Sequence, residues 1–215
     1  FDKSFAKVDL EEFRDEYCYV GVDLGSVSDL TAVSVMIPKD DKIYVKNWAF
    51  VPESAMDGTP NSMRYRQFRN QGDLIVTDGN VCDYDRIIKL LEEIQEVCPI
   101  AKVAYDQWNA TQWAISATEK GFPLLPFSQS ISSMNRPIKE LQRLFLQGNI
   151  ILDKNQVTRF CLGNCVAIID NHENVALGKE SYEQKIDVAV AMADAVGAYL
   201  SENHYDGALI DGITF

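Results

Sequence analysis

The stretch "YVGVDLGSVSDLTAVSV", residues 19–35, decides how this chain is read. An apolar run ends at Asp23, a small turn carrying Gly25, Ser26 and Ser28 follows, and a Thr/Val-rich run starts at once. Two β-rich runs joined by a short polar turn predict paired strands, and "KIYVKNWAFVP" (42–52) extends them into an antiparallel meander. Asp23 then stands at the carboxyl end of the first strand. A carboxylate there forms a turn, belongs to a phosphate-binding loop, or holds a metal.

Downstream the pattern changes. "NSMRYRQFRNQGDLIVTDGN" (61–80) reads as a short basic helix and a brief strand, and "DYDRIIKLLEEIQEV" (83–97) as an amphipathic helix, with Ile87, Ile88, Leu91, Ile94 and Val97 near helical spacing. "IAKVAYD" (100–106) is a short buried strand, "NATQWAISATEKG" (109–121) a helix with a Gly stop, and "FPLLPFSQ" (122–129) a fifth strand. A further helix at 132–149, a small hairpin around "NHEN" (171–174) and an Ala-rich helix at 183–200 complete the chain. This order predicts an α/β fold: a mixed sheet of five strands or slightly more, antiparallel in one half and parallel in the other, with helices on both faces. Residues 1–16 read as a linker or lead-in, 17–203 as the domain, and 204–215 as a C-terminal tail.

The 215 residues suit one domain with a real core, and 47% hydrophobic with 24% charged is a soluble globular composition. No apolar run approaches the roughly 20 residues of a membrane span, and the opening residues are no signal peptide. A start at Phe suggests a piece of a longer protein. A net charge of −12 argues against broad binding of a polyanion through a basic face. It leaves open a site where carboxylates hold divalent cations and meet phosphate through them. The five Cys show no CxxC spacing and form no zinc set with His172 and His204, so they read as buried thiols in a reducing, cytosolic setting.

Three carboxylates stand out. Functional groups of open α/β sheets gather at the carboxyl ends of strands, which is where Asp23 and the Asp106 of "AYDQWN" fall. Asp187 lies in the first turn of the Ala-rich helix, thin enough to approach the sheet closely. Two hard cations about 3.5–4 Å apart need several oxygen ligands, one of them shared. Asp23 would be the shared ligand, with Asp106 and Asp187 completing one metal each. Such a pair activates water against a phosphodiester and stabilises the leaving 3′ oxygen. Asp194, seven residues and about two turns after Asp187, and Glu183, one turn before it, are candidate fourth ligands. Each carboxylate also has a plainer reading: Asp23 as a turn former, Asp106 as a helix N-cap, and Asp187 as a partner of the helix dipole.

"YVGVDLGSVSDLTAVSV", "VAYDQWNA" and "GNCVAIIDNHENVALGKESYEQKIDVAVAMADA" together resemble the three acidic motifs of the nuclease domain of tailed-bacteriophage terminase large subunits, HK97-like type. The likeness runs from about Tyr19 to Leu200. It implies an RNase H-like fold and Mg²⁺- or Mn²⁺-dependent cutting of concatemeric viral double-stranded DNA during genome packaging, in the host cytoplasm. It maps the catalytic, metal-binding carboxylates onto Asp23, Asp106 and Asp187, with Asp29 in support and Lys179 and Lys185 as neighbours that hold a phosphate or tune the site. The partners it implies are double-stranded DNA, an N-terminal ATPase domain, the small terminase subunit and portal. No G-x-x-x-x-G-K-[ST] loop occurs here, so the motor half is not in this chain and the domain alone is expected to be a monomer.

Two other readings compete. "GVDLGSVSDLTA" also looks like the first phosphate loop of actin-like and sugar-kinase ATP-binding folds, although a second such loop is missing. A non-catalytic DNA-binding module would use Arg64, Arg66 and Arg69, or Arg136, Lys139 and Arg143, as a DNA-facing stripe. The plainer reading of those residues is a solvated helix face. Trp48, Trp108 and Trp113 read as core or rim packing.

Overall fold

The computed structural model describes residues 2–25, 29–108 and 110–202. The turn residues 26–28 and the expected tail at 204–215, with His204, lie outside the described residues. The meander forms as expected: β2 (Cys18–Asp23), β3 (Thr31–Lys39) and β4 (Lys42–Pro52) pair antiparallel in sequence. Both faces of these strands are buried, so apolar residues fill both parities of the period-2 pleat. Val20, Val22, Val33 and Val35 face one core, while Ala32, Met36 and Val45 face the other.

The sheet is wider than the expected five strands. β1 (Phe5–Ala6), β8 (Ile150–Asp153), β4, β3, β2, β6 (Ile100–Tyr105) and β7 (Leu124–Pro126) lie side by side, and β5 (Ile75–Thr77) pairs with β4 as the eighth strand. β8 and β5 share one edge of the 11-residue β4: β8 pairs with Ile43 to Val45 and β5 with Phe50 to Pro52. Apart from the meander, the strand pairs in this sheet are parallel. The separate hairpin around 171–174 forms as β9 (Val166–Ile169) and β10 (Val175–Gly178).

The lead-in expected at 1–16 packs with the domain. Phe5 and Ala6 pair with Leu152 and Asp153, and Val8 and Phe13 are buried in the core. Its polar composition hid this because only a few apolar side chains anchor it.

Helices cover both faces. On one side α2 (Tyr84–Gln95) and α3 (Thr111–Glu119) bury Ile87, Leu91, Ile94 and Trp113. Asp83 caps α2 by accepting from the Arg86 backbone N–H at 3.0 Å. On the other side α1 (Ser62–Gln71), α4 (Ile131–Gln147), α5 (Gln156–Gly163) and α6 (Asp187–Glu202) share a core built on Tyr65, Phe68, Ile138, Leu141, Val157, Val188 and Met192. All five cysteines are free thiols, three of them buried, and no helix among the described residues is long and apolar enough to cross a membrane.

Candidate metal centre

β2 lies between β3, with Asp23 opposite Ala32, and β6, with Val22 opposite Tyr105. Because β2 and β6 run parallel, Asp106 follows Tyr105 at the same sheet edge where Asp23 ends its strand. Asp106 does not cap a helix. Its Oδ1 accepts from the Trp108 backbone N–H at 3.2 Å, and the residue preceding α3 is Ala110.

Asp187 is the first residue of α6, which crosses β2, β3 and β6 at close range. Gly21 permits that approach: a Cβ there would stand 2.0 Å from the Ala191 carbonyl oxygen and 2.5 Å from the Ala195 nitrogen. Small residues on both sides let the backbones touch and bring the helix start to the strand ends. Gly25 serves the turn in the same way, since a Cβ on it would meet the Leu30 carbonyl oxygen at 2.3 Å.

The carboxylates share one electrostatic environment. Burial, then the charges of Asp187, Asp194 and Asp106, hold the Asp23 carboxyl well above the usual range, and a hydrogen bond with Gln129 offsets part of that. Burial also raises Asp187, against the pull of its own backbone N–H, Lys185 and Lys179. Asp194 is fully buried, and burial with Asp106 nearby pushes it up to about 8. Gln129 Nε2 donates to Asp194 Oδ2 at 3.2 Å. Asp194 Oδ1 and Asp187 Oδ2 are buried without a hydrogen-bond partner among the described residues.

The remaining candidates divide. Asp194 acts on Asp23 as a fourth carboxylate, since α6 packs on β2, β3 and β6 beyond its first turn as well. Glu183 is exposed, is held by its main-chain oxygen accepting from Asn61 Nδ2 at 2.8 Å, and lines an outer groove with Arg64 and Gln67. Lys185, only 4% exposed, is ion-paired with Asp29, and its Nζ stands 4.6 Å from the Tyr182 ring centre. That pair ties the turn after Asp23 to the approach to Asp187, so Lys185 is committed to Asp29. Lys179 is exposed, with Nζ 5.7 Å from the same ring.

Sequence reasoning missed Gln129. Its signal was position, since it follows β7, the parallel neighbour of β6, at the same edge. Trp108 also departs from the expected packing role. It is 74% exposed and borders a groove of about 700 Å³ with Tyr105, Thr111 and Ile115, whereas Trp113 is buried. The basic stripes are largely occupied: Arg66 pairs with Asp57, Arg64 lies over the Phe160 ring, Arg143 pairs with Glu140, and Lys139 donates to the Glu173 carbonyl.

Comparison with known proteins agrees with this geometry. The chain is 28% identical over 202 residues to the terminase large subunit of Enterobacteria phage HK97, matching 92% of this chain and 40% of that protein. It is 27% identical over 209 residues to protein YmfN of Escherichia coli K12, at 91% and 45% coverage. The chain therefore spans less than half the length of these relatives. The crystal structure of the HK97 large terminase superposes with a TM-score of 0.76 at 27% identity, covering 85% of this chain and 39% of that one. The large terminase nuclease of thermophilic phage G20c with bound magnesium shares the fold, with a TM-score of 0.54 at 16% identity and coverage of 85% and 84%. The sheet with helices on both faces is thus the RNase H-like fold of terminase nucleases, and the actin-like alternative falls away. The family described as the terminase large subunit, endonuclease domain, matches residues 1–203, and this chain belongs to it.

Proposed function

We propose that this chain is a divalent-metal-dependent endodeoxyribonuclease that cuts concatemeric viral double-stranded DNA during genome packaging, by two-metal-ion hydrolysis of a phosphodiester. The observation that carries this reading is the position of Asp23, with Asp187, Asp194 and Asp106 as the carboxylates acting on it. Four carboxylates brought together at one sheet edge, Asp194 buried and the other three half-buried, are an unfavourable arrangement for a scaffold and a suitable one for hard cations.

The residues fit Mg²⁺ or Mn²⁺ by their chemistry. The donors are carboxylate oxygens, two of which are buried and unpartnered. Among the described residues no three Asp, Glu, His or Cys side chains form a finished cage. Asp23 is the candidate shared ligand, Asp106 and Asp187 complete the set, and Asp194 with Gln129 supports it from α6 and the β7 edge. When bound, two such ions would supply Lewis acidity to a phosphodiester hydrolysis that leaves 5′ phosphate and 3′ hydroxyl ends.

The chain's own residues orient the site. Gly21 lets α6 deliver Asp187 to the strand ends, and the Lys185–Asp29 pair holds the turn after Asp23 against the α6 approach. To Lys179, exposed near Asp187, we assign a contact with a DNA phosphate. With a net charge of −12, the domain approaches DNA chiefly through its bound cations. In the whole protein we assign the motor to an N-terminal ATPase domain, with the small terminase subunit and portal as partners in the host cytoplasm.

Plasmid cleavage by the purified domain tests the reading, with Mg²⁺, Mn²⁺ or EDTA and with Asp23→Ala, Asp106→Ala and Asp187→Ala alongside. We expect metal-dependent nicking or linearisation that falls by at least about a hundredfold in each variant. Cutting in EDTA, or cutting that survives loss of Asp23, removes the mechanism.

A further inference from the structure

Tyr65 presents a problem that its packing leaves unsolved. It sits in α1 and is 1% exposed, and its hydroxyl is buried without a hydrogen-bond partner among the described residues. Phe68, three residues on, fills the same core without a hydroxyl. Packing therefore asks only for a ring at this position, whereas a buried phenol oxygen with no partner is costly.

The missing partner is close by. Asp187 Oδ2 is likewise buried and unpartnered. After burial itself, the Asp187 carboxylate is the largest influence raising the Tyr65 hydroxyl, followed by Cys161, Asp29 and Tyr182. α1 is also tied to the chain just before Asp187, because Asn61 at its start donates to the Glu183 carbonyl at 2.8 Å. Beside Tyr65 lies a cavity of about 120 Å³, lined by Asn61, Tyr182, Glu183 and Lys185 among others. At about 30 Å³ per molecule it has room for a water beside the Tyr65 ring. Tyr65 and the segment 182–185 that leads into Asp187 thus border the same small space.

We propose that Tyr65 is a positioning residue for Asp187, its hydroxyl supplying the hydrogen bond that the Asp187 carboxylate lacks and fixing how that carboxylate is presented to the metal centre. This rests on the reading of Asp187 as a metal ligand. Groups hydrogen-bonded behind a ligand set its orientation and basicity, and losing one typically weakens metal affinity about 10- to 100-fold.

The test is Mn²⁺ titration by calorimetry of EDTA-stripped protein in wild-type, Tyr65→Phe and Asp187→Asn forms, with metal-free melting curves and cleavage measured across Mn²⁺ concentration. Tyr65→Phe is expected to weaken Mn²⁺ binding by about tenfold or more, to leave metal-free melting unchanged or higher, and to recover cleavage at saturating Mn²⁺. Mn²⁺ affinity within about twofold of wild type, far short of the loss expected for an outer-shell partner, overturns the proposal. So does a lowered metal-free melting temperature with no change in affinity, which marks a merely structural role. If Asp187→Asn itself binds Mn²⁺ like wild type, the assignment of Asp187 fails, whatever Tyr65→Phe does.

Discussion

A carboxyl group taken out of water resists ionisation, and neighbouring carboxylates add to that resistance. Asp23 and Asp194 are both in this position, the second pushed up to about 8 from an ordinary 3.8. The consequence for stability has a definite sign. With the folded value raised, the metal-free protein takes up protons on folding between about pH 4 and pH 8. The stability from this group is fully present below about pH 4 and is lost as pH rises toward 8, by up to about 1.4 kcal/mol per pH unit. Melting curves in EDTA from pH 5 to pH 8 should therefore fall with pH. Asp194→Asn should flatten that slope, and Mn²⁺ at pH 8 should restore the lost stability. A metal-free melting temperature that rises with pH and ignores Asp194→Asn contradicts this account of the cluster.

The decisive element is α6, and what places it is the absence of side-chain bulk. Gly21 on β2 and Ala191 and Ala195 on the helix bring two backbones into contact. Gly21→Ala forces a methyl onto the Ala191 carbonyl, and overpacking of this kind costs typically about 1–3 kcal/mol. Urea unfolding should show a loss at or beyond the top of that range, since a backbone contact yields less than a side chain does. Wild-type stability would mean that the helix does not press on the strand as described.

That the helix could lie close was legible in its Ala-rich sequence, as were the meander and the amphipathic α2, because each carries its own periodicity. β8 and α5 were not. "IILD" is four residues running straight on from α4, and its strand character depends on pairing with β4 a hundred residues earlier. The two residues of β1 need β8 in turn. Segments this short carry no period to read, so the sheet reads narrower from the sequence than it is. The same limit applies at the site. Asp23, Asp106 and Asp187 stand out in the sequence because each falls at a strand end or a helix start, while Gln129 and the influence of Asp194 on Asp23 emerge only when separate elements meet.

At the scale of the whole molecule, the fold gathers negative charge at one sheet edge of a protein that already carries a net charge of −12. The carboxyl ends of β2 and β6 and the start of α6 converge there, and Lys185 is already spent on Asp29. The account stands on the claim that this concentration of charge exists to bind two divalent cations with Asp23 between them. Mn²⁺ titration of the EDTA-stripped domain followed by electron paramagnetic resonance, in wild-type and Asp23→Asn forms, tests that most directly. The account predicts two Mn²⁺ ions bound per chain, close enough to couple magnetically, with the coupled signal lost in Asp23→Asn. No stoichiometric binding by the wild type, or an unchanged coupled pair in Asp23→Asn, would contradict it.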